Sequence, residues 1–383
     1  MHYRTIASIS EIDAGEWDSL NRGDYPFVRH AFLAGLERTG CVRPDTGWQP
    51  LHVLLHDDPV RGNLLGAAPL YLKSHSWGEY VFDWAWADAY QRAGLDYYPK
   101  LLCAIPFTPA TGPRLLVSPS AERPEEVRRA LIRSIIDQAE SMRLSSVHWL
   151  FTDAADTAAL ESEGLLKRTG NQFHWSSRGC RNFDDYLKSL TSKRRKQVRR
   201  ERRQVEEAGV AVRMIEGKDL EAGHWDAMYR FYQSTIHERG AIPYLTKKFF
   251  RFLATRMQEQ TLIATAHDRD GAMIAGALYF KGGDTLYGRY WGASAFYEGL
   301  HFETCYYQPI DYCLRHGIAR FEAGAQGEHK LNRGLLPTPT HSAHWLAHPR
   351  FEEAIREFLD VETRQVEHHA GVLDRHSPFR REP

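Results

Sequence analysis

The sequence predicts a mixed α/β protein made of two copies of one domain, and two observations carry that expectation. Segments 51–86 ("LHVLLHDDPVRGNLLGAAPLYLKSHSWGEYVFDWAW") and 261–294 ("TLIATAHDRDGAMIAGALYFKGGDTLYGRYWGAS") share one construction. Each has a β-rich run, an Asp/Gly turn, a strand of small and apolar residues ending in Lys, a second turn and an aromatic strand. Setting Lys73 against Lys281 aligns "AAPLYLK" with "AGALYFK". A helix-then-strand unit follows each hairpin, 130–151 matching 305–325 when Ile136-Asp137 is set on Ile310-Asp311. The offset falls from 208 residues at the lysines to 174 at the isoleucines, so the first half carries 34 extra residues. The length, 383 residues, also suits two domains.

The remaining elements follow in order. The extra residues of the first half fall on an aromatic loop, 85–116, rich in Tyr, Trp and Pro; a loop of this length either serves function or flaps over a sheet edge. The domain boundary is expected near 178, giving domains 1–178 and 179–383. Beyond it come a short helix and a long basic helix that stops at Gly209. Helices are expected over "HWDAMYRFYQSTIHER" and "LTKKFFRFLATRMQEQ", and again over "HPRFEEAIREFLDVETRQVEHH" near the C-terminal end.

Composition excludes several classes. Lys+Arg and Asp+Glu balance at 49 each, so no global field draws the chain to a polyanion and any such binding needs a local patch. Five scattered cysteines without CxxC spacing fit reduced thiols and give no zinc framework. His341 and His344 stand three apart without an acidic partner, so no metal is expected. The first residues lack the basic-then-apolar order of a signal peptide, and no apolar run approaches the ~20 residues of a membrane span. A cytoplasmic protein without membrane insertion is expected; the oligomeric state stays open.

Three stretches carry candidate chemistry. "FEAGAQGEHKLNRGL" (321–335) lacks both the Walker A spacing and GxGxxG, leaving a strand that runs into a small-residue turn with Glu328, His329 and Lys330 beyond it. "YGRYWGASAFYEGLHFETCYY" (287–307) puts Tyr287, Arg289 and Trp291 on one face of a strand by simple alternation, as a substrate channel would require. Glu303, near the start of the following helix, is either a catalytic base or an acid suited to the helix dipole. "KSLTSKRRKQVRRERRQ" (188–204) holds nine bases against one acid. Arg194, Arg195 and Arg199 in it are candidates for donor phosphates, against the plainer reading of a solvated face.

Hairpin, helix and strand in this order resemble the Gcn5-related N-acyltransferase fold. "FEAGAQGEHKLNRGLLPTPTHSAHW" and "WADAYQRAGLDYYPKLLCAIPFTPATGPRLL" resemble two signature blocks of a family of predicted bacterial N-acyltransferases related to the Fem-type peptidoglycan aminoacyltransferases. "GAIPYLTKKFF" and "YGRYWGASAFYEGLHFETCYYQPIDYCL" resemble its other blocks, so the likeness covers most of the chain. It implies an α/β fold of two tandem Gcn5-related N-acyltransferase-like domains, the second carrying the active site. It also implies transfer of an acyl group from acyl-CoA or a similar donor to a small-molecule or peptide amine. Aminoacyl-tRNA as donor is the alternative, with tRNA as a partner, and a non-catalytic binding protein retaining the fold is the third reading. Either donor is a co-substrate, with no tightly bound cofactor.

The resemblance makes Lys330 the first candidate, to hold a donor phosphate or carboxylate or to stabilise an oxyanion. Glu328 or His329 would take the proton of the attacking amine. Gln326 and His344 enter as substrate-binding residues, His344 through the resemblance alone. Tyr97, Tyr98 and Lys100 of the aromatic loop are candidates to shape the acceptor pocket. The usual acetyl-CoA turn, Gln/Arg-x-x-Gly-x-Gly/Ala, is absent where "EGLHFET" stands, which leaves the donor open.

Overall fold

The computed structural model describes residues 1–60, 62–324 and 327–380. Its strands are β1 (His2–Ile6), β2 (Trp48–Pro50), β3 (His52–His56), β4 (Leu64–Ala68), β5 (Leu70–Lys73), β6 (Lys100–Cys103), β7 (Leu116–Val117) and β8 (Ser146–Thr152). Then come β9 (Leu166–Ser176), β10 (Ala211–Glu216), β11 (Thr261–His267), β12 (Met273–Gly282), β13 (Thr285–Ala293), β14 (Arg320–Glu322) and β15 (Leu336–Leu346). Early helices are α1 (Ala14–Asp18), α2 (His30–Arg38), α3 (Trp84–Arg92), α4 (Pro124–Ser141), α5 (Ala154–Ser162) and α6 (Phe183–Ser189). Later ones are α7 (Ser192–Glu207), α8 (Ala222–Glu238), α9 (Lys247–Arg256), α10 (Leu300–Phe302), α11 (Gln308–His316) and α12 (Pro349–Arg375). Among the described residues no helix is long and apolar enough to cross a membrane.

The chain folds as two compact units, Met1–Asn171 with Pro339–His368, and Gln172–Thr338 with His369–Pro383. The expected division at 178/179 therefore lies slightly late, and the expected second domain loses Pro339–His368 to the first unit. Strand pairing explains the exchange. Residues His341–Leu346 of β15 form an antiparallel ladder with β8, so this late segment completes a sheet begun by the first half.

In the first unit β6 and β8 run parallel, with β5 and β2 continuing antiparallel beyond β6. Parallel neighbours need a crossover, and α4 supplies it. Its first residue is Pro124, where no N–H is needed, with Glu125 and Glu126 favourable to the dipole in the first turn. Its buried stripe of Val127, Leu131, Ile132, Ile135 and Ala139 packs with Val147 and Trp149 of β8. A smaller antiparallel sheet, β1-β3-β4-β7, lies in the same unit.

The second unit repeats the order. Strands β10 to β13 form an antiparallel meander, α11 crosses over, and β14 returns parallel to β13. The last residues of β9, His174–Ser176, pair with the other edge of β14. Helices α8 and α9 pack together, with α8 on β12 and β13. That approach is close: a Cβ on Gly292 would stand 2.0 Å from the carbonyl oxygen of Phe231.

Two expectations fail in the insertion. The run "WGEYVFDWAW" is no strand, and 85–116 is not a structureless loop: α3 begins at Trp84, and β6 and β7 follow. Trp86 and Tyr90, one helical turn apart, bury against Tyr97, Leu346, Ile355 and Leu359. The aromatic content imitated a strand, while the spacing of the buried rings is helical.

Candidate active site

The site in the second unit arises where two strands part. The ladder between β13 and β14 covers only Thr285–Tyr287 against Arg320–Glu322, while β13 runs on to Ala293. A register shift between Leu278 and Tyr279 sets Tyr290 opposite Leu278 and Gly288 opposite Tyr279, so Arg289 is the extra residue of a β-bulge. Beyond the parting lies a cavity of about 90 Å³, lined by Tyr279, Gly288, Arg289, Tyr290, Trp291, His301, Cys305, Tyr306 and Ala323 among others.

The bulge overturns the expected shared face of Tyr287, Arg289 and Trp291. Tyr287 pairs with Phe280 and Tyr290 with Leu278, residues on one face of β12, whereas Trp291 pairs with Ala277 on the other. One extra residue shifts the alternation by one. Tyr290 accordingly meets Tyr232 of α8, with ring centroids 5.0 Å apart, and Trp291 meets His301 at 5.3 Å on the opposite side. Arg289 and Trp291 line the cavity; Tyr287 is buried and does not.

Lys330 reaches the same region from beyond β14. Glu328–Arg333 form a 3₁₀ turn that starts after Gly327, whose φ of 112° an L side chain rarely adopts and whose Cβ would strike the His329 ring at 2.4 Å. Three residues per turn put Lys330 and Arg333 on one side, and both are buried. The Lys330 ammonium donates to the carbonyl of Gly324 at 2.7 Å, and among the described residues no carboxylate pairs with it. Burial pulls its pKa down to about 8, with Cys305 acting in the opposite direction.

His329 stands beside it. Its Nε2 is 2.8 Å from the Tyr306 hydroxyl, and burial, then the charges of Arg333 and Lys330, lowers its pKa. His301, 6.0 Å from His329 between ring centroids, is pushed down to about 4 by burial and then by His329. At neutral pH both rings are neutral and able to accept a proton. Tyr306 and Cys305 sit in a π-helical turn, Glu303–Tyr307, that opens between α10 and α11. Such turns widen a helix and are frequent at functional sites.

Other expected residues lie elsewhere. Glu328 points outward, 65% exposed at its side chain, and meets His369 at 3.2 Å. Glu303 is buried but already paired, accepting three hydrogen bonds from Arg202, two from Nε and one from NH2, at 3.0–3.3 Å, and one from Gln308 at 2.8 Å. Gln326 lies outside the described residues. On α7, Arg194 donates to Gln197 and Arg195 to Ser192, both half-buried, while Arg199 is exposed. Arg199 joins Lys193, Lys196, Arg200 and Arg203 along one outer face.

Tyr97, Tyr98, Lys100 and His344 do come together, inside the first unit. Lys100 donates to Ser76 at 2.8 Å and Glu79 at 2.9 Å and is paired with Asp83. Tyr98 is 2.8 Å from the Ser76 hydroxyl, and Tyr97 donates to Asp83 at 2.6 Å. His148 links Tyr97, at 3.0 Å, to His344, at 2.7 Å. Burial alone would lower the pKa of Lys100, but Glu79 and Asp83 outweigh it and raise it. Burial likewise works to raise Asp83, and the charge and hydrogen bond of Lys100 carry it below the usual range. Lys73, 3.7 Å above the Trp48 ring, is brought down to about 7 by burial, and burial lifts Glu79 to about 7. This is a neutralised interior network rather than an open pocket wall.

Sequence reading missed the carboxylates and cations that organise both places: Glu79, Asp83, His148 and Lys73 in the first unit, Glu201 and Arg333 in the second. One signal was available for Glu201. A lone acid among nine bases, three residues after Val198 and four before Val205, belongs to the buried stripe of α7.

The family comparison matches residues 8–381 to a model named FemAB-like and described as peptidoglycan biosynthesis/recognition. No curated protein matches the chain in sequence. Among solved structures, FemX superposes with a TM-score of 0.56 at 13% identity, covering 93% of this chain and 100% of FemX. The C-terminal domain of a putative lysylphosphatidylglycerol synthetase from Agrobacterium fabrum gives 0.56 at 10% identity, over 91% and 96% of the two chains. L-PGS from Bacillus licheniformis gives 0.50 at 10% identity, over 85% and 95%. At these identities the likeness speaks for the fold, in line with two tandem acyltransferase-like domains.

Proposed function

Because this chain belongs to the FemAB-like family of acyl and aminoacyl transferases, which spans residues 8–381, we propose that it transfers an acyl group from an activated donor to an amine in the cleft of its second unit. The observation that carries the reading is the buried Lys330 ammonium beside the parting of β13 and β14. In this reading the acyl carbonyl enters the cleft lined by Gly288, Arg289 and Cys305. The acceptor amine attacks its carbon, a C–N bond forms, and the carbonyl oxygen becomes an oxyanion facing Lys330. The intermediate collapses by breaking the bond to the leaving thiol or hydroxyl. His329, neutral and hydrogen-bonded to Tyr306, takes the proton from the amine and returns it to the leaving group. Catalysis rests on positioning and on an ammonium held where negative charge develops. Glu328 and Glu303 are left out of the chemistry, the first by its exposure and the second by its pairing with Arg202.

A second reading keeps the chemistry and takes aminoacyl-tRNA as donor. The outer row of α7 favours it, since five bases on one helical face suit a nucleic-acid backbone better than a single pyrophosphate. The acceptor in either case is a small-molecule or peptide amine. Calorimetric titration with acetyl-CoA, longer acyl-CoAs and aminoacyl-tRNA separates the donors. Binding of tRNA alone, with steep salt dependence, selects the second reading. Transfer unaffected by Lys330→Ala would remove both.

A further inference from the structure

The acid inside the basic helix faces the turn that carries Lys330. Glu201 on α7 and Arg333 on the 3₁₀ turn are 6% and 3% exposed, and form a buried ion pair in which Arg333 NH2 donates to both carboxylate oxygens, at 2.8 and 2.9 Å. The carboxylate also accepts from Gln197 at 2.9 Å and from the Tyr307 hydroxyl. Arg333 spends its other donors close by: Nε on the Tyr307 hydroxyl at 3.1 Å, and NH1 on the carbonyl of His329 at 2.9 Å. Its guanidinium lies 3.4 Å over the ring of Phe302.

That carbonyl of His329 belongs to the peptide group that leads into Lys330. The N–H of the same peptide donates to Gly327 at 3.1 Å, so the peptide is held from both ends. Two elements thus fix the direction of Lys330: the glycine turn on one side, and the arginine, itself oriented by Glu201 and Tyr307, on the other. Tyr307 lies in the π-helical turn that also bears Cys305 and Tyr306. One carboxylate on α7 therefore ties together the wide turn and the lysine turn.

We propose that Glu201 and Arg333 are positioning residues for Lys330, acting on the His329–Lys330 peptide and not on substrate. The inference rests on the acyl-transfer reading for its kinetic consequence, though not for its physical one. Loss of the Glu201 charge frees the Arg333 fork, lets the turn relax and admits water to the ammonium. Lys330 then titrates closer to an ordinary lysine. An Arg333→Lys change keeps the charge but cannot hold Glu201, Tyr307 and the His329 carbonyl together.

The test pairs a titration with kinetics. Biosynthetic ¹³C labelling of the lysines at Cε, with the Lys330 resonance assigned from a Lys330→Arg variant, reads the Lys330 midpoint by NMR without any substrate. Glu201→Gln and Arg333→Lys are expected to move that midpoint up by about one unit. They should also lower kcat for transfer by about tenfold or more, with donor and acceptor KM within about twofold. An unchanged midpoint and kcat beside a lower Tm would reduce the pair to a structural salt bridge and overturn the proposal. Where the single variants unfold, Glu201→Met/Arg333→Met replaces the pair with apolar groups of similar bulk and is expected to recover Tm. Recovered Tm with a still-shifted midpoint supports the proposal, and a recovered midpoint overturns it. If Lys330→Ala left transfer intact while Glu201→Gln still shifted the midpoint, the functional reading would fail and the positioning role would stand.

Discussion

The Nδ1 atoms of His148 and His344 lie 2.7 Å apart in the interior of the first unit. One must donate and the other accept, and their neighbours decide which. Tyr97 gives its only proton to Asp83, so it accepts from His148 Nε2–H. His148 Nδ1 is then the acceptor, His344 Nδ1–H the donor, and His344 Nε2 accepts from the Ser342 hydroxyl at 3.0 Å. The proton order runs from Ser342 to Asp83 in one direction, and both rings are neutral.

Protonating His148 would set two N–H groups against each other. Burial first, and then the charge of Lys100, holds the His148 pKa near 3, and burial with His148 holds that of His344 well below the ordinary value. A depressed folded-state pKa contributes stability above the unfolded value, ~6.5, that is lost as pH falls through that of the folded state. The first unit is expected to lose stability steadily from about pH 6.5 toward pH 3. Thermal melts across that range, compared with a His148→Gln/His344→Gln variant, check it. The variant, which has no ring to protonate, should show the shallower acid limb.

Lys330 gives the opposite slope in activity. The ammonium is lost as pH rises through about 8, so the rate of transfer is expected to fall above that pH. Lys330→Met should cost about a hundredfold or more in kcat, the usual size for removal of an oxyanion donor. Its effect on stability has its own sign. The depressed pKa means that the wild type gains stability relative to Lys330→Met as pH rises from about 8 toward the ordinary lysine value, and gains nothing below. Glu328→Gln serves as the contrast, expected to leave kcat within about twofold because the carboxylate is exposed and touches His369.

The outer row of α7 separates the two donors. Lys193→Ser, Lys196→Ser and Arg200→Ser remove exposed charges from positions outside the buried stripe, so Tm should stay within about a degree or two. If the donor is a tRNA, each lost phosphate contact reduces the slope of log affinity against log salt by about one. Titration of aminoacyl-tRNA at several salt concentrations measures this. An acyl-CoA donor would leave affinity nearly unchanged across the series.

Gly292→Ala tests the packing of the second unit. The added methyl would stand 2.0 Å from the Phe231 carbonyl oxygen, a backbone atom of α8 that cannot step aside without moving the helix. A loss of about 3 kcal/mol or more is expected in chemical denaturation, since overpacking against backbone is among the costly substitutions.

How far these features were legible in the sequence depends on the range of the interaction behind them. The meander, α11 and β14 were readable because their apolar periods and turn residues are local. So was the duplication, because the same local order recurs. The bulge at Arg289 was not: alternation read along β13 alone cannot register that β12 has one residue fewer opposite it. Nor was the pairing of Glu303, whose partner Arg202 lies a hundred residues earlier on a different helix. Lys330 was found by resemblance, while its support by Arg333 and Glu201 needed the fold. Glu328 shows the converse, a residue in the right string whose side chain turns the wrong way.

The exchange of segments between the units governs how the chain can be made and cut. The ribosome releases β8 long before β15, so the first unit waits, with a sheet neighbour missing, until nearly the whole second unit has been synthesised. A stop codon after Thr338 would leave the first half unfinished, and it would also take His369–Pro383, with Leu373 and Phe379 of its core, from the second. The buried network of the first unit, which joins Tyr97 and His148 to His344, therefore cannot be inherited as a contiguous cassette, whereas the candidate cleft draws its lining residues from within Gln172–Thr338.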